Sequence, residues 1–126
     1  METTKKQKQQ FKFRAVTITD LTKIVKLYQE QKTKENSILT NQFGLPFYVA
    51  ELNQKIVGYS FATASIENNY KIKTLIDSYY FDDTINKSLA EESVLYFKNE
   101  WQNNSNKNLS KTINQLVKWL NNSSLQ

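Results

Sequence analysis

The sequence predicts an α/β domain with a mainly antiparallel sheet and flanking helices. Three observations carry that expectation. Alternating apolar side chains at Phe11, Phe13 and Ala15 lead into a stripe at helical spacing, Leu21, Ile24, Val25 and Tyr28. Two apolar runs, from Phe47 to Glu51 and from Ile56 to Ala62, flank the tight-turn candidate Asn53-Gln54, the strongest hairpin signal in the chain. Further on, Leu109, Ile113, Leu116, Val117 and Leu120 recur at i, i+4, i+7, i+8 and i+11, the pattern of an amphipathic helix.

Each element follows from its residues. Residues 1–10 hold no apolar side chain after Met1 and read as a disordered basic tail. The domain is placed at 11–121, with 122–126 as a second tail. A half-buried strand begins at Phe11, and Thr17-Ile18-Thr19-Asp20 supplies capping chemistry for a helix to about Gln31. Polar residues 32–42 form a loop with room for a weak second helix. Gly44-Leu45-Pro46 turns the chain into the hairpin, whose second strand is rich in small residues such as Ala62, Ala64 and Ser65. The stretch 66–88 shows neither period cleanly. Ser93 to Phe97 reads as a buried strand, Trp101 to Lys107 as an Asn-rich loop, and the last helix runs to about Asn121.

Composition removes whole classes of chemistry. The 126 residues (14.8 kDa) include no Cys and no His, so thiol nucleophiles, Ser-His-Asp arrangements, zinc fingers and disulfides are excluded. Acid–base work falls to carboxylates, tyrosine, lysine or water. Only two glycines are present, where average usage would give about nine. The net charge of +5 is concentrated in Lys5, Lys6, Lys8, Lys12 and Arg14, opposed there by Glu2 alone, so the rest of the chain is nearly neutral. With Arg14 its single arginine, the chain lacks the forked donors that read bases and phosphates, which makes nucleic acid an unlikely partner. No apolar run is long enough to span a membrane and no signal-peptide stretch opens the chain, so a cytoplasmic location is expected.

Several of these segments are familiar in order. Phe13-Arg14-Ala15-Val16-Thr17-Ile18-Thr19-Asp20-Leu21, followed by Ile24-Val25-Lys26-Leu27-Tyr28, resembles the opening strand and helix of GNAT-superfamily N-acetyltransferases. The run from Phe47 to Tyr59 resembles their central hairpin, "x-VAE-x-DG-x-IVGY". Glu92-Ser93-Val94-Leu95-Tyr96-Phe97 is similar to the "E-S-x-VYV" strand of the phosphinothricin-acetyltransferase-like branch. The resemblance spans about residues 11–120. It implies a GNAT-like fold missing its last strands, since the family continues with a fifth strand, a fourth helix and a final hairpin.

The resemblance also implies roles. Acetyl-CoA would lie along the fourth strand, matched by Val94, Leu95, Tyr96 and Phe97. Its pyrophosphate would sit on the next loop and helix N-terminus, here Asn104, Ser105, Asn106, Lys107 and Asn108, where the family's glycines are missing. Glu92 matches the general base acting on a small-molecule amine, with direct transfer and no acyl-enzyme. The other implied reading is a degenerate, non-catalytic binding or interaction module that completes its sheet by homodimerisation through the exposed edge of the fourth strand. Taken on their own residues, Glu92 reads equally as a solvated strand end, Tyr79-Tyr80-Phe81 as core, Asp82-Asp83 as a turn rather than a cation site, and Trp101 either as a cover for the cofactor or as closing the hydrophobic layer.

Overall fold

The computed structural model describes residues 11–32, 38–64, 70–80, 82–101 and 108–122. Four strands, β1 (Lys12–Ala15), β2 (Leu45–Leu52), β3 (Lys55–Ala64) and β4 (Tyr70–Ile76), form one antiparallel sheet in the order β1-β2-β3-β4. Three helices pack on it: α1 (Leu21–Lys32), α2 (Asp83–Trp101) and α3 (Leu109–Asn121). The tail expected at 1–10 lies outside the described residues, as does all of the tail expected at 122–126 except Asn122, which ends α3 as its C-cap. Among the described residues no helix is long and apolar enough to cross a membrane.

Strand alternation assigns the helices to faces. Tyr48, Ser60 and Thr74 stand opposite one another across three strands, and each meets α2: Tyr48 reaches Glu92, Ser60 bonds Ser93, and Thr74 donates to Asn86 at 2.5 Å. The neighbouring row, Val49, Tyr59 and Leu75, points the other way, into the larger core with Ile24 and Tyr28 of α1 and Ile113, Val117 and Leu120 of α3. The sheet is therefore a middle layer. Under α2, Ala50, Val57, Ile76, Ile85 and Leu89 make a second core.

The hairpin turn forms at Asn53 and Gln54, both with positive φ (52° and 69°). This is the backbone of a primed turn, whose second position ordinarily favours glycine. Neither glycine of the chain is there. Gly44, at φ 75°, enters β2 where a methyl group would meet Ala62 O at 2.6 Å. Gly58 lies against β4, where a methyl group would meet Ile76 Cδ1 at 2.6 Å.

Two polar contacts close the remaining joints. Asp20 accepts from the Thr17 amide (2.8 Å) and hydroxyl (3.0 Å), and forms a forked pair with Arg14 at 2.8 and 3.0 Å. Arg14 Nε also reaches Glu51 at 3.1 Å, so the sole arginine ties β1 to β2 and to the start of α1. Asn121, at the end of α3, accepts from the Leu39 amide at 2.9 Å and donates to the Leu39 carbonyl at 3.0 Å.

Two expectations need correction. Ser93 to Phe97 is not a strand but part of α2, because Ile85, Leu89, Ser93 and Phe97 are all buried at i+4 spacing. A five-residue window shows the apolar run and not the stripe. The fourth strand is instead 70–76, inside the stretch that showed no clean period. The expected aromatic core at Tyr79 also fails, since Tyr79 is 85% exposed; Tyr80 is half-buried, and Phe81 lies outside the described residues.

Gln54→Gly should raise stability by about 0.5–1 kcal/mol, read as a higher urea midpoint at unchanged slope, because relief of the left-handed backbone exceeds glycine's extra unfolded entropy. The Arg14 guanidinium, against the cost of burial, holds the Asp20 carboxyl down to about 2, from an ordinary 3.8. A depressed folded value stabilises above the unfolded one and is lost as pH falls from about 4 towards 2. Asp20→Asn should therefore cost about 2 kcal/mol at pH 7, with the difference from wild type shrinking in urea titrations below pH 4.

Candidate functional site

Glu92 sits on the exposed surface of α2, where its carboxylate accepts from the Tyr48 hydroxyl at 3.4 Å. Helix geometry puts Tyr96 one turn on, and its ring lies 5.1 Å from Tyr48 and stacks on Phe47 at 6.2 Å. Burial first, and then the Glu92 charge, raise the Tyr48 phenol above its ordinary 10.0. Glu92 is thus a solvated carboxylate at the rim of an aromatic cluster. It was expected at the start of a strand, and its neighbour Glu91 is also exposed.

Of the residues matched to acetyl-CoA, the described ones do not form the expected strand. Val94, Leu95, Tyr96 and Phe97 are helical, so their amides and carbonyls are spent along the helix axis and offer no strand to a pantetheine arm. Val94 and Leu95 are 40% and 64% exposed, Tyr96 is half-buried, and Phe97 is buried between Phe47 and Tyr70. Asn104, Ser105, Asn106 and Lys107 lie outside the described residues. Asn108 is the cap of α3: its side chain accepts from Lys111 N–H at 3.0 Å and its carbonyl from Thr112 N–H. The N-terminus of α2 is occupied too, since the Asp82 carboxylate accepts from the amides of Thr84 (2.7 Å) and Ile85 (3.4 Å), with Asp83 beside it. An acidic cap repels the anion that a bare helix end attracts. Among the described residues of that set, then, acetyl-CoA is offered neither an extended strand nor an uncapped helix end.

Asp82 accordingly caps a helix. Among the described residues no three acidic side chains gather as metal ligands. On the other face of the sheet, a groove of about 700 Å³ runs between α1, α3 and the sheet, walled by Tyr28, Phe61 and Ile113, with Lys73 on its rim. Beneath it Tyr59 packs on Phe61 at 5.5 Å, its hydroxyl buried without a partner among the described residues.

The outer side of β4 is the feature that sequence reasoning missed. Asp77 N–H donates to Val57 O at 2.8 Å, one step beyond the Gly58–Ile76 pair. Bonded and non-bonded pairs alternate along an antiparallel ladder. Leu75, Lys73 and Lys71 therefore turn their backbone groups inward to β3, whereas Ile72, Thr74 and Ile76 turn theirs outward. β4 ends the sheet order among the described residues. The alternation of Tyr70-Lys71-Ile72-Lys73-Thr74 was a usable signal, weakened by the apolar Leu75 and Ile76 that follow.

Neither a protein-family model nor a curated protein matches the chain.

Glu92→Gln should move the Tyr48 titration part of the way back towards 10.0, followed by NMR of ring-labelled tyrosine. Stability should change by no more than about 0.5 kcal/mol, because the carboxylate is exposed.

Proposed function

We propose that the chain is a GNAT-like domain working as a binding module, which takes an extended segment of a partner protein along the outer side of β4 and does not transfer acetyl groups. The observation that carries this reading is the outward row of backbone donors and acceptors at Ile72, Thr74 and Ile76. Strand addition needs such a row, and main-chain hydrogen bonds supply its affinity.

The resemblance enters through topology. The segment 13–28 forms β1 and α1, and 47–59 forms the β2–β3 hairpin, the elements those motifs lead one to expect. The third motif, 92–97, lies in a helix instead of the cofactor strand. Acetyl transfer to an amine with Glu92 as base needs a cofactor strand ahead of it and an anion-binding helix end. Here the first is helical, and Asp82 and Asn108 fill the helix ends. The sequence's own alternative, the non-catalytic module, is the better supported, with the sheet edge among the described residues at 72–76 and not at 93–97.

Two measurements test this. In native-state hydrogen exchange, the Lys73 and Leu75 amides should be protected with the sheet, and those of Ile72 and Thr74 should exchange much faster; equal protection removes the free edge. Calorimetry with acetyl-CoA up to millimolar concentration should give no binding heat. A saturating isotherm would return the chain to the transferases.

A further inference from the structure

The side chains on either side of the β4 edge specify what would lie along it, given the edge reading above. On the face shared with α1 and α3, the strand presents Lys71 and Lys73, both exposed. Opposite charges directly across a strand pair attract, and like charges repel. On the other face, the Thr74–Asn86 bond shows which flank of α2 overhangs β4, just as Tyr48–Glu92 shows which flank faces β2. Ala90 and Val94 continue the Asn86 flank at i+4 spacing. Val94 is 40% exposed, and with Ala90 and the half-buried Ile72 it makes an apolar shelf beside the edge.

We infer that the outer side of β4 binds an extended peptide in which acidic residues alternate with aliphatic ones. The acidic side chains would face Lys71 and Lys73, the aliphatic ones the Ala90–Val94 flank of α2. The peptide backbone bonds to Ile72, Thr74 and Ile76. A period of two puts successive side chains on opposite faces, so one strand meets both requirements.

A second copy of this chain is the weaker occupant. Pairing two β4 edges antiparallel about Ile72 or about Lys73 sets lysine against lysine, whereas centring on Thr74 or Leu75 sets a lysine against Asp77 and is the register that the sedimentation test addresses. The opposite edge of the sheet, β1, presents exposed Lys12 and fits a basic edge no better.

The test uses three capped eight-residue peptides, alternating Glu with Val, Thr with Val, and Lys with Val, titrated at low salt by calorimetry and by amide exchange. The Glu peptide should bind at least about tenfold more tightly than the Thr peptide, and the Lys peptide weakest of all. The Ile72 and Thr74 amides should become protected. The double variant Lys71→Glu, Lys73→Glu, at two exposed positions, should invert the preference. Val94→Glu should weaken the Glu peptide without altering the free protein's exchange pattern. Protection of Ile72 and Thr74 by all three peptides equally would overturn the acidic partner while leaving the edge reading intact. No protection by any of them would remove both. Sedimentation showing a dimer with those same amides protected would overturn the proposal in favour of a second copy.

Discussion

Little side chain stands on one face of β3, and that constraint shapes the molecule. Gly58, Ser60 and Ala62 alternate towards α2, with Ser93 as the helix residue opposite. Ser60 and Ser93 are both fully buried and satisfy each other, so neither hydroxyl incurs the desolvation cost of a lone buried group. Small residues there admit α2 closely enough for Ile85 and Leu89 to reach Val57 and Ile76. The larger aromatic and aliphatic side chains are thereby sent to the opposite face, where Phe43, Tyr59 and Phe61 build the main core with α1 and α3. A bulky residue at 60 or 93 would lift α2 and open the smaller core first.

Most of the architecture was legible because it rests on local patterns. The hairpin declared itself through two apolar runs and a turn dipeptide, and Gln54 at positive φ shows that the turn holds even with a poor residue in it. Asp20 was readable as capping chemistry, though its pairing with Arg14 was not, since contacts across space leave no local trace. The segment 92–97 was misread for a physical reason. Its buried members, Ser93 and Phe97, belong to a stripe that starts at Ile85, outside any strand-length window. β4 was missed because its lysines dilute the apolar signal; those same lysines stand on the strand that ends the sheet among the described residues. The candidate site thus shifted from a short apolar run to a strand with charged side chains.

Scarce residues in this chain are spent on structure. Both glycines serve close backbone approach within the sheet, and neither is in a loop that could cradle a phosphate. The single arginine, a residue type suited to anion recognition, is committed to Asp20 and Glu51. The exposed positive charge left on the domain comes from lysines, which act as mobile point charges and not as forks. Such a surface suits complementary strand pairing, where charge sets register and partner choice, more than recognition of a planar anion.

The Asn121–Leu39 clamp bears on the order in which the protein can be made. It joins residues 82 positions apart, and one amide side chain bonds both backbone groups of Leu39, in the segment leading into β2. Loops of that span close slowly, and a chain leaving the ribosome presents its early elements first. The hairpin can pair as soon as residue 64 emerges, but the segment before it stays unclamped until α3 has been synthesised and docked. Through that interval Phe43 and Tyr28, which pack edge-on at 5.1 Å, lack the cover that α3 gives this core. The last helix is therefore the step that converts a nascent sheet with an open face into a closed domain.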